Sequence, residues 1–298
     1  MMLSHSITSL AALTLSLASL VAAKDYTINI LFVGTSYTHG KTDPVLHYGN
    51  STVSDVRGTG FGGVPAIVRQ LNEESPDTVL SYNTTILAHD GPGVDWQWFA
   101  SNYASTLNRR DWHVVILQEA YGALHPMSRG GDPLSSAKGL RAVYDLIRTY
   151  SGASVYLTET WPTPEDVFKP TGHYWNCGSP DIYAQANDLT INTGALGAPY
   201  FIESGLIVRV GWSFIKAIQG HYATENPISG PNATVNLWDS DNINASRYGS
   251  YLSALTILST LTSAPLTNIP TGPGSVADAL GISSSIAAAL AGYAETVV

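Results

Sequence analysis

The chain has 298 residues, of which 44% are apolar and only 12% charged, with 14 Lys and Arg against 23 Asp and Glu. A formal charge of −9 without any basic cluster argues against nucleic acid and anionic membrane as partners, since both are held by basic patches that displace counterions. The single cysteine, Cys177, excludes an internal disulfide and is expected to be inert, so apolar burial has to supply the stability.

Residues 1–23 hold an uncharged, largely apolar run from Ile7 to Val21 that ends in Val21-Ala22-Ala23, the pattern of a secretory signal peptide. About fifteen residues are too few for a membrane span, which needs roughly twenty. A secreted, extracellular protein beginning near Lys24 is expected. Asn50, Asn83, Asn232 and Asn244 each head an Asn-X-Ser/Thr triplet and are then candidate glycosylation sites.

The run YTINILFVG, 26–34, has the near-continuous apolar and β-branched character of a strand buried on both faces, and it ends at a glycine. Similar runs at 78–87, 112–118, 153–161 and 199–204 predict further strands. Amphipathic stretches at 64–74, 94–108, 135–150, 181–195 and 205–219 predict helices between them. Strand–helix alternation predicts a parallel sheet covered on both faces, a three-layer α/β/α sandwich. One domain is expected over 24–263. Residues 264–298 read as a Pro/Gly connector and a short helical tail packed on it. Two loops, 119–134 and 162–180, follow predicted strands and so lie at the carboxyl edge of the sheet, where ligands bind in such folds.

Ser36 stands just beyond the first strand in LFVGTSYTHG. It can cap the following turn, or it can project into the crevice as a nucleophile. Gly62 and Gly63 precede the second predicted element and can offer backbone N–H groups to a carbonyl oxygen, while Gln118 closes the run VVILQ and adds a side-chain amide to the same edge.

The succession ILFVGTSYTHG, GTGFGGVPA, WHVVILQEA, YLTETW and WDSDNINASRYGSYLSAL resembles the SGNH hydrolases, also called GDSL-like esterases. It is closest to a branch whose first block reads Gly-Asn-Ser-Phe/Tyr-Thr. The resemblance implies a flavodoxin-like sandwich that cleaves esters or removes acyl groups from sugars and lipids without metal or other cofactor. It makes Ser36 the nucleophile, Gly63 and Gln118 the oxyanion donors, and Asp241 the acid of a closing Asp-X-X-His block. The chain departs from the pattern at Asn244, which stands where the family has histidine, and at Thr35, where it has Asn or Asp. An asparagine amide neither takes a proton near neutral pH nor holds one to return.

His39, His125 and His173 lie in segments predicted near the carboxyl edge, and His125, in the loop after Gln118, is the candidate substitute base. Glu119 and Glu159 at strand ends are a minor alternative, a carboxylate pair for glycoside hydrolysis. Trp96, Trp98, Tyr121, Trp161, Tyr174 and Trp175 can stack on sugar rings or serve as packing. No His or Cys spacing suggests a metal site. Two functions stay open: an esterase or deacetylase acting on an acylated carbohydrate or other neutral ester, and a catalytically impaired relative that binds such a ligand. A monomer is expected in either case.

Overall fold

The computed structural model describes residues 24, 26–89, 95–120, 122–175, 181–197, 206–230 and 233–298. Residues 1–23, Tyr121, Cys177, Asn232 and the run 199–204 therefore lie outside the described residues.

The chain runs β1 (Tyr26–Gly34), α1 (Ser36–His39), β2 (Ser54–Asp55), α2 (Gly63–Glu74), β3 (Leu80–Ala88), α3 (Trp96–Asn102), α4 (Ala104–Leu107) and β4 (Val114–Gln118). It continues with α5 (Pro133–Tyr150), β5 (Ser154–Thr158), α6 (Pro164–Phe168), α7 (Ile182–Leu196), β6 (Ile207–Val208) and α8 (Val210–Gln219), and closes with α9 (Arg247–Thr262), α10 (Val276–Ala279) and α11 (Ser284–Glu295). The strands form one six-stranded sheet in the order β2-β3-β1-β4-β5-β6, and every pairing is parallel. With the two-residue β2 set aside, this is the flavodoxin-like order, β1 central between β3 and β4. The predicted three-layer sandwich is the observed architecture.

Side chains alternate across a strand, so β1 feeds two cores. Ile30 and Phe32 join Ile116 in a cluster with residues of α2, α8, α9 and α11, while Leu31 and Val33 join Val115, Leu117 and Leu157 in a second cluster with α3 and α5. This parity decides where strand-end residues point: Gln118 follows Ile116 by two and belongs to the α2/α9 side. Residues Gly249 to Ser259 of α9 are buried on all faces, so the block preceding that helix is anchored by an element sunk in the core. The tail contributes Leu280, Leu290 and Ala294 to the same core, and Glu295 accepts a hydrogen bond from the Leu266 N–H at 2.6 Å.

Two predicted helices differ from the sequence expectation, and the short β2 and α6 were not predicted. The helix predicted over 94–108 is two shorter helices, α3 and α4, that meet at Tyr103, where the backbone turns to φ −120°, ψ 24°. The helix predicted over 205–219 begins only at Val210. Ile207 and Val208, a β-branched pair, instead extend the sheet opposite Leu157 and Thr158.

Candidate active site

Thr35, not Ser36, caps α1: its backbone is extended and its Oγ1 accepts from the Tyr37 N–H at 3.3 Å. The capping role that local sequence offers Ser36 is thus taken by its neighbour, and the half-buried Ser36 is left at the first helical position beyond the carboxyl end of β1. The close turn depends on Gly34, where a Cβ would stand 2.2 Å from Thr38 Oγ1 and 3.2 Å from Gln118 Cβ. Thr38 Oγ1 in turn donates to Gln118 Oε1 at 2.8 Å. The carbonyl end of the Gln118 amide is therefore occupied, and its NH₂ is the end that can serve a ligand.

Gly63 opens α2 at φ +59°, and a Cβ there would lie 2.4 Å from the His39 carbonyl oxygen. Only glycine fits, and the first amides of a helix have no intrahelical acceptor. The loop leading to it is gathered by Asp55, a residue sequence reasoning missed. Its carboxylate accepts from the backbone N–H of Arg57 at 2.9 Å and Gly60 at 2.8 Å, and from Thr59 Oγ1 at 2.8 Å. Burial works to raise the Asp55 pKa, but the hydrogen bonds from Thr59, Arg57, Gly60 and Phe61 outweigh it and hold the group below the usual range. The only signal in the sequence was an Asp ahead of a Thr-Gly-rich turn.

The closing block is a compact polar turn. Asp241 Oδ1 accepts from the backbone N–H of Ile243 at 2.9 Å and Asn244 at 2.8 Å, and Oδ2 accepts from Asn244 Nδ2 at 2.5 Å. Asn242 takes the left-handed conformation at φ 58°, and the Asp239 N–H closes the turn on the Asn244 carbonyl at 2.8 Å. Asn244 is 7% exposed, and its Oδ1 has no hydrogen-bond partner. A buried unsatisfied acceptor costs about 1–3 kcal/mol. Two links tie this turn to the segment that follows Ser36. Trp161 Nε1 donates to the Ile243 carbonyl at 2.9 Å while its ring stacks on Tyr37 with centroids 4.2 Å apart. Thr42 Oγ1 donates to Asp239 at 2.6 Å. Asp241 and Asn244 are thus held side chain to side chain within this turn.

His125 belongs to a different cluster. It is buried, its Nε2 lies 2.9 Å from Gln185 Nε2 and 3.6 Å from Asp166 Oδ2, and its ring packs edge-on to Tyr174. With Gln185 donating, that nitrogen is an acceptor and the ring is neutral. Burial lowers the His125 pKa against the opposing pull of Asp166. His39 stacks on Phe61 at 4.2 Å, and His173 lies exposed beside Gly130. Glu119 and Glu159 are bound to different partners. Glu119 accepts from Trp96 Nε1 at 2.6 Å, and Glu159 accepts from Thr190 Oγ1 at 2.6 Å and the Trp212 N–H at 3.1 Å. Burial raises both pKa values.

Among the aromatics, Trp96, Trp161 and Tyr174 are core residues, whereas Trp98 and Trp175 are exposed. Asn50 and Asn83 are exposed. Asn244 is buried with its amide nitrogen spent on Asp241, so a glycan there would first have to pull it out of the turn. Among the described residues no group of three His, Cys, Asp or Glu side chains is placed to hold a metal ion.

No protein-family model matches the chain, and no curated protein matches it. Among solved structures it is similar to a DUF4886-family protein from Bacteroides uniformis, at 14% identity and TM-score 0.51, covering 91% of this chain and 94% of that one. It is also similar to an acetylxylan esterase from Geobacillus stearothermophilus, at 13% identity and TM-score 0.47, covering 80% and 96%. An aryl esterase from M. smegmatis aligns at 15% identity and TM-score 0.40, covering 79% and 99%. At this identity the first of these likenesses speaks to the fold alone.

Proposed function

We propose that this chain is a secreted protein whose SGNH-type crevice recognises an acylated carbohydrate or other neutral ester and turns it over poorly. The observation that supports this reading is the Asp241–Asn244 hydrogen bond at 2.5 Å, an amide at the position the SGNH pattern gives to the serine's base. Attack by Ser36 on a carbonyl requires the Oγ proton to leave as the C–O bond forms, and the Asn244 amide cannot accept it. What remains is carbonyl polarisation by the Gly63 N–H and the Gln118 NH₂. Residual catalysis of that kind is roughly 10³–10⁴-fold over water in serine hydrolases stripped of a triad member. Secretion is supported by the uncharged leader over 1–23, and exposed Asn50 and Asn83 are the acceptors we assign for glycans.

A second reading, an active serine esterase or deacetylase, is favoured by the retained Ser36, Gly63 and Gln118. It needs another base, and His125 would first have to leave its contacts with Gln185 and Asp166. Turnover of p-nitrophenyl acetate and acetylated xylan by the purified protein, Ser36→Ala and His125→Ala separates the two. The binding reading expects the wild type and Ser36→Ala to be alike. A hundredfold or larger loss in Ser36→Ala would overturn it, and a parallel loss in His125→Ala would name the base.

A further inference from the structure

We infer that the groove between α8 and the end of α11 is a binding site separate from the crevice, one that takes a carboxylate carried on a single ring. Arg209, Trp212 and Lys216 recur at i, i+3 and i+7 and so share one face of α8. Together with Thr296 and Val297, just past α11, they line a cavity of about 280 Å³. Arg209 is exposed, and Trp212 and Lys216 are half-buried. The two helices are held close at Gly220, where a Cβ would stand 2.3 Å from the Tyr293 hydroxyl. Because β6, which leads into α8, is the edge strand, it lies three places from β1, or roughly 14 Å at about 4.8 Å per strand.

The charges name the ligand class. In a chain of net charge −9, neither the Arg209 guanidinium nor the Lys216 ammonium has an ion-pair or hydrogen-bond partner among the described residues. The acid that feels the Arg209 charge, Glu159, is buried with both oxygens committed, one to Thr190 Oγ1 at 2.6 Å and the other to the Trp212 N–H at 3.1 Å. Lys216 Nζ stands 5.9 Å from the centre of the Trp212 ring, the outer limit of a cation–π contact, so the indole holds it only weakly. Two unpaired cations lining one cavity attract an anion. A guanidinium fork matches a carboxylate with two parallel N–H···O bonds, whereas an ammonium acts as a point charge, which makes Arg209 the anchor. Two turns, roughly 10.5 Å along the axis, separate the cations, and Trp212 comes between them. A ligand held by its carboxylate at Arg209 thus packs its body on the indole and Val297. The volume is just below the roughly 300–1,000 Å³ of most ligand pockets, which leaves room for one substituted ring and not for a polymer. Aromatic acids and uronic acid sugars both carry this group on a ring that can pack against tryptophan.

The test is calorimetric titration of the purified protein with benzoate and with methyl glucuronoside, each beside its uncharged counterpart, benzamide and methyl glucoside. The carboxylate is expected to bind about tenfold tighter or more than its counterpart. Its affinity should fall as salt is raised from about 0.02 to 0.5 M, because exposed charges are screened. Arg209→Gln should weaken carboxylate binding by about tenfold or more, and Lys216→Gln by less. Both side chains are without partners, so neither variant should change the melting temperature. Binding of benzoate alone would name an aromatic acid, binding of the glucuronoside alone a uronic acid, and binding of both the shared ring carboxylate. No carboxylate binding at about 10 mM, equal binding of the charged and uncharged members, or unchanged affinity in Arg209→Gln would each overturn the site. The crevice reading stands or falls separately, on the Ser36→Ala assay.

Discussion

Asn244→His tests the site most directly. Asp241 is already set for an imidazole: two backbone amides hold Oδ1 at 2.9 and 2.8 Å, and Oδ2 faces the residue-244 side chain at 2.5 Å. The acid therefore has an oxygen in place to receive an Nδ1–H, and the proposed site assignment gives Nε2 the Ser36 proton. A positioned general base is worth about 10²–10⁴ in rate, or about 2.7–5.5 kcal/mol of barrier. Imidazole is bulkier than the amide at a position only 7% exposed, so overpacking should cost about 1–3 kcal/mol of stability. The melting temperature should fall by roughly 2–4 °C for each of those kcal/mol.

The assay is kcat/KM for p-nitrophenyl acetate, with Asn244→His/Ser36→Ala as the control that isolates serine-dependent turnover. The base must be neutral to take the proton, so the new activity should rise with pH through an imidazole pKa near about 6.5 and then level off. A variant that melts cooperatively yet gains no Ser36-dependent rate would show that Gly63 or Gln118 does not face the reacting carbonyl. The crevice assignment would fall with it.

Gly34→Ala should destabilise the fold by about 1–3 kcal/mol, because the new Cβ overlaps Thr38 Oγ1. An unchanged melting temperature would contradict the 2.2 Å approach that defines this turn. The pH dependence of stability should carry two opposed contributions. Burial lowers His125 below 6.5 in the folded protein, so the unfolded chain binds the proton first and stability is lost as pH falls from about 6.5. Burial raises Glu119 and Glu159 above 4.5, so the folded protein holds those protons longer and stability falls as pH rises from 4.5 towards the folded values. Urea melts of the wild type and His125→Gln between pH 4.5 and 8 should show the variant gaining on the wild type only at the acid end, by at most about 1.4 kcal/mol per pH unit. A pH-independent difference would remove the buried neutral His125 from the account.

Periodicity located β1, β3, β4 and β5 because strands buried on both faces read as unbroken apolar runs. Strand–helix alternation gave the parallel, three-layer architecture, and the flavodoxin-like order was implied by the family resemblance. The places in the fold of Ser36, Gly63, Gln118 and the Asp241–Asn244 block were legible because each sits at a local feature: a strand end, a glycine pair, a short polar turn ahead of a long apolar helix. Partnerships across the chain were not. His125 meets Gln185 across 60 residues, and Thr38 meets Gln118 across 80. No local pattern encodes such pairs; they arise when helices dock on opposite faces of the sheet. The exchange of capping between Thr35 and Ser36 was hidden for a subtler reason. Both residues are good caps by type, and the choice rests on which one takes extended backbone as β1 ends.

Asp241 raises a question that its neighbours answer. An acid that serves only to orient a catalytic base has no task once the base is gone, yet Asp241 is fully bonded here. Its Oδ1 closes the turn by holding the Ile243 and Asn244 amides, and that turn delivers the chain into α9 at the centre of the core. Asp241→Ala should therefore cost about 2–6 kcal/mol, since stripping the acceptor from each of the two paired amides costs about 1–3 kcal/mol. The loss would appear in urea melts whether or not the protein turns anything over. For the same reason, inactivity of Asp241→Ala says nothing about a triad. Asp241→Asn in the Asn244→His background separates the two roles: its Oδ1 can still accept both amides, while its NH₂ meets the imidazole N–H donor to donor. That variant should keep its melting temperature to within roughly 5 °C and lose most of the restored rate, roughly 10²–10⁴-fold. Equal rates in the two backgrounds would leave Asp241 as the staple of a turn and nothing more.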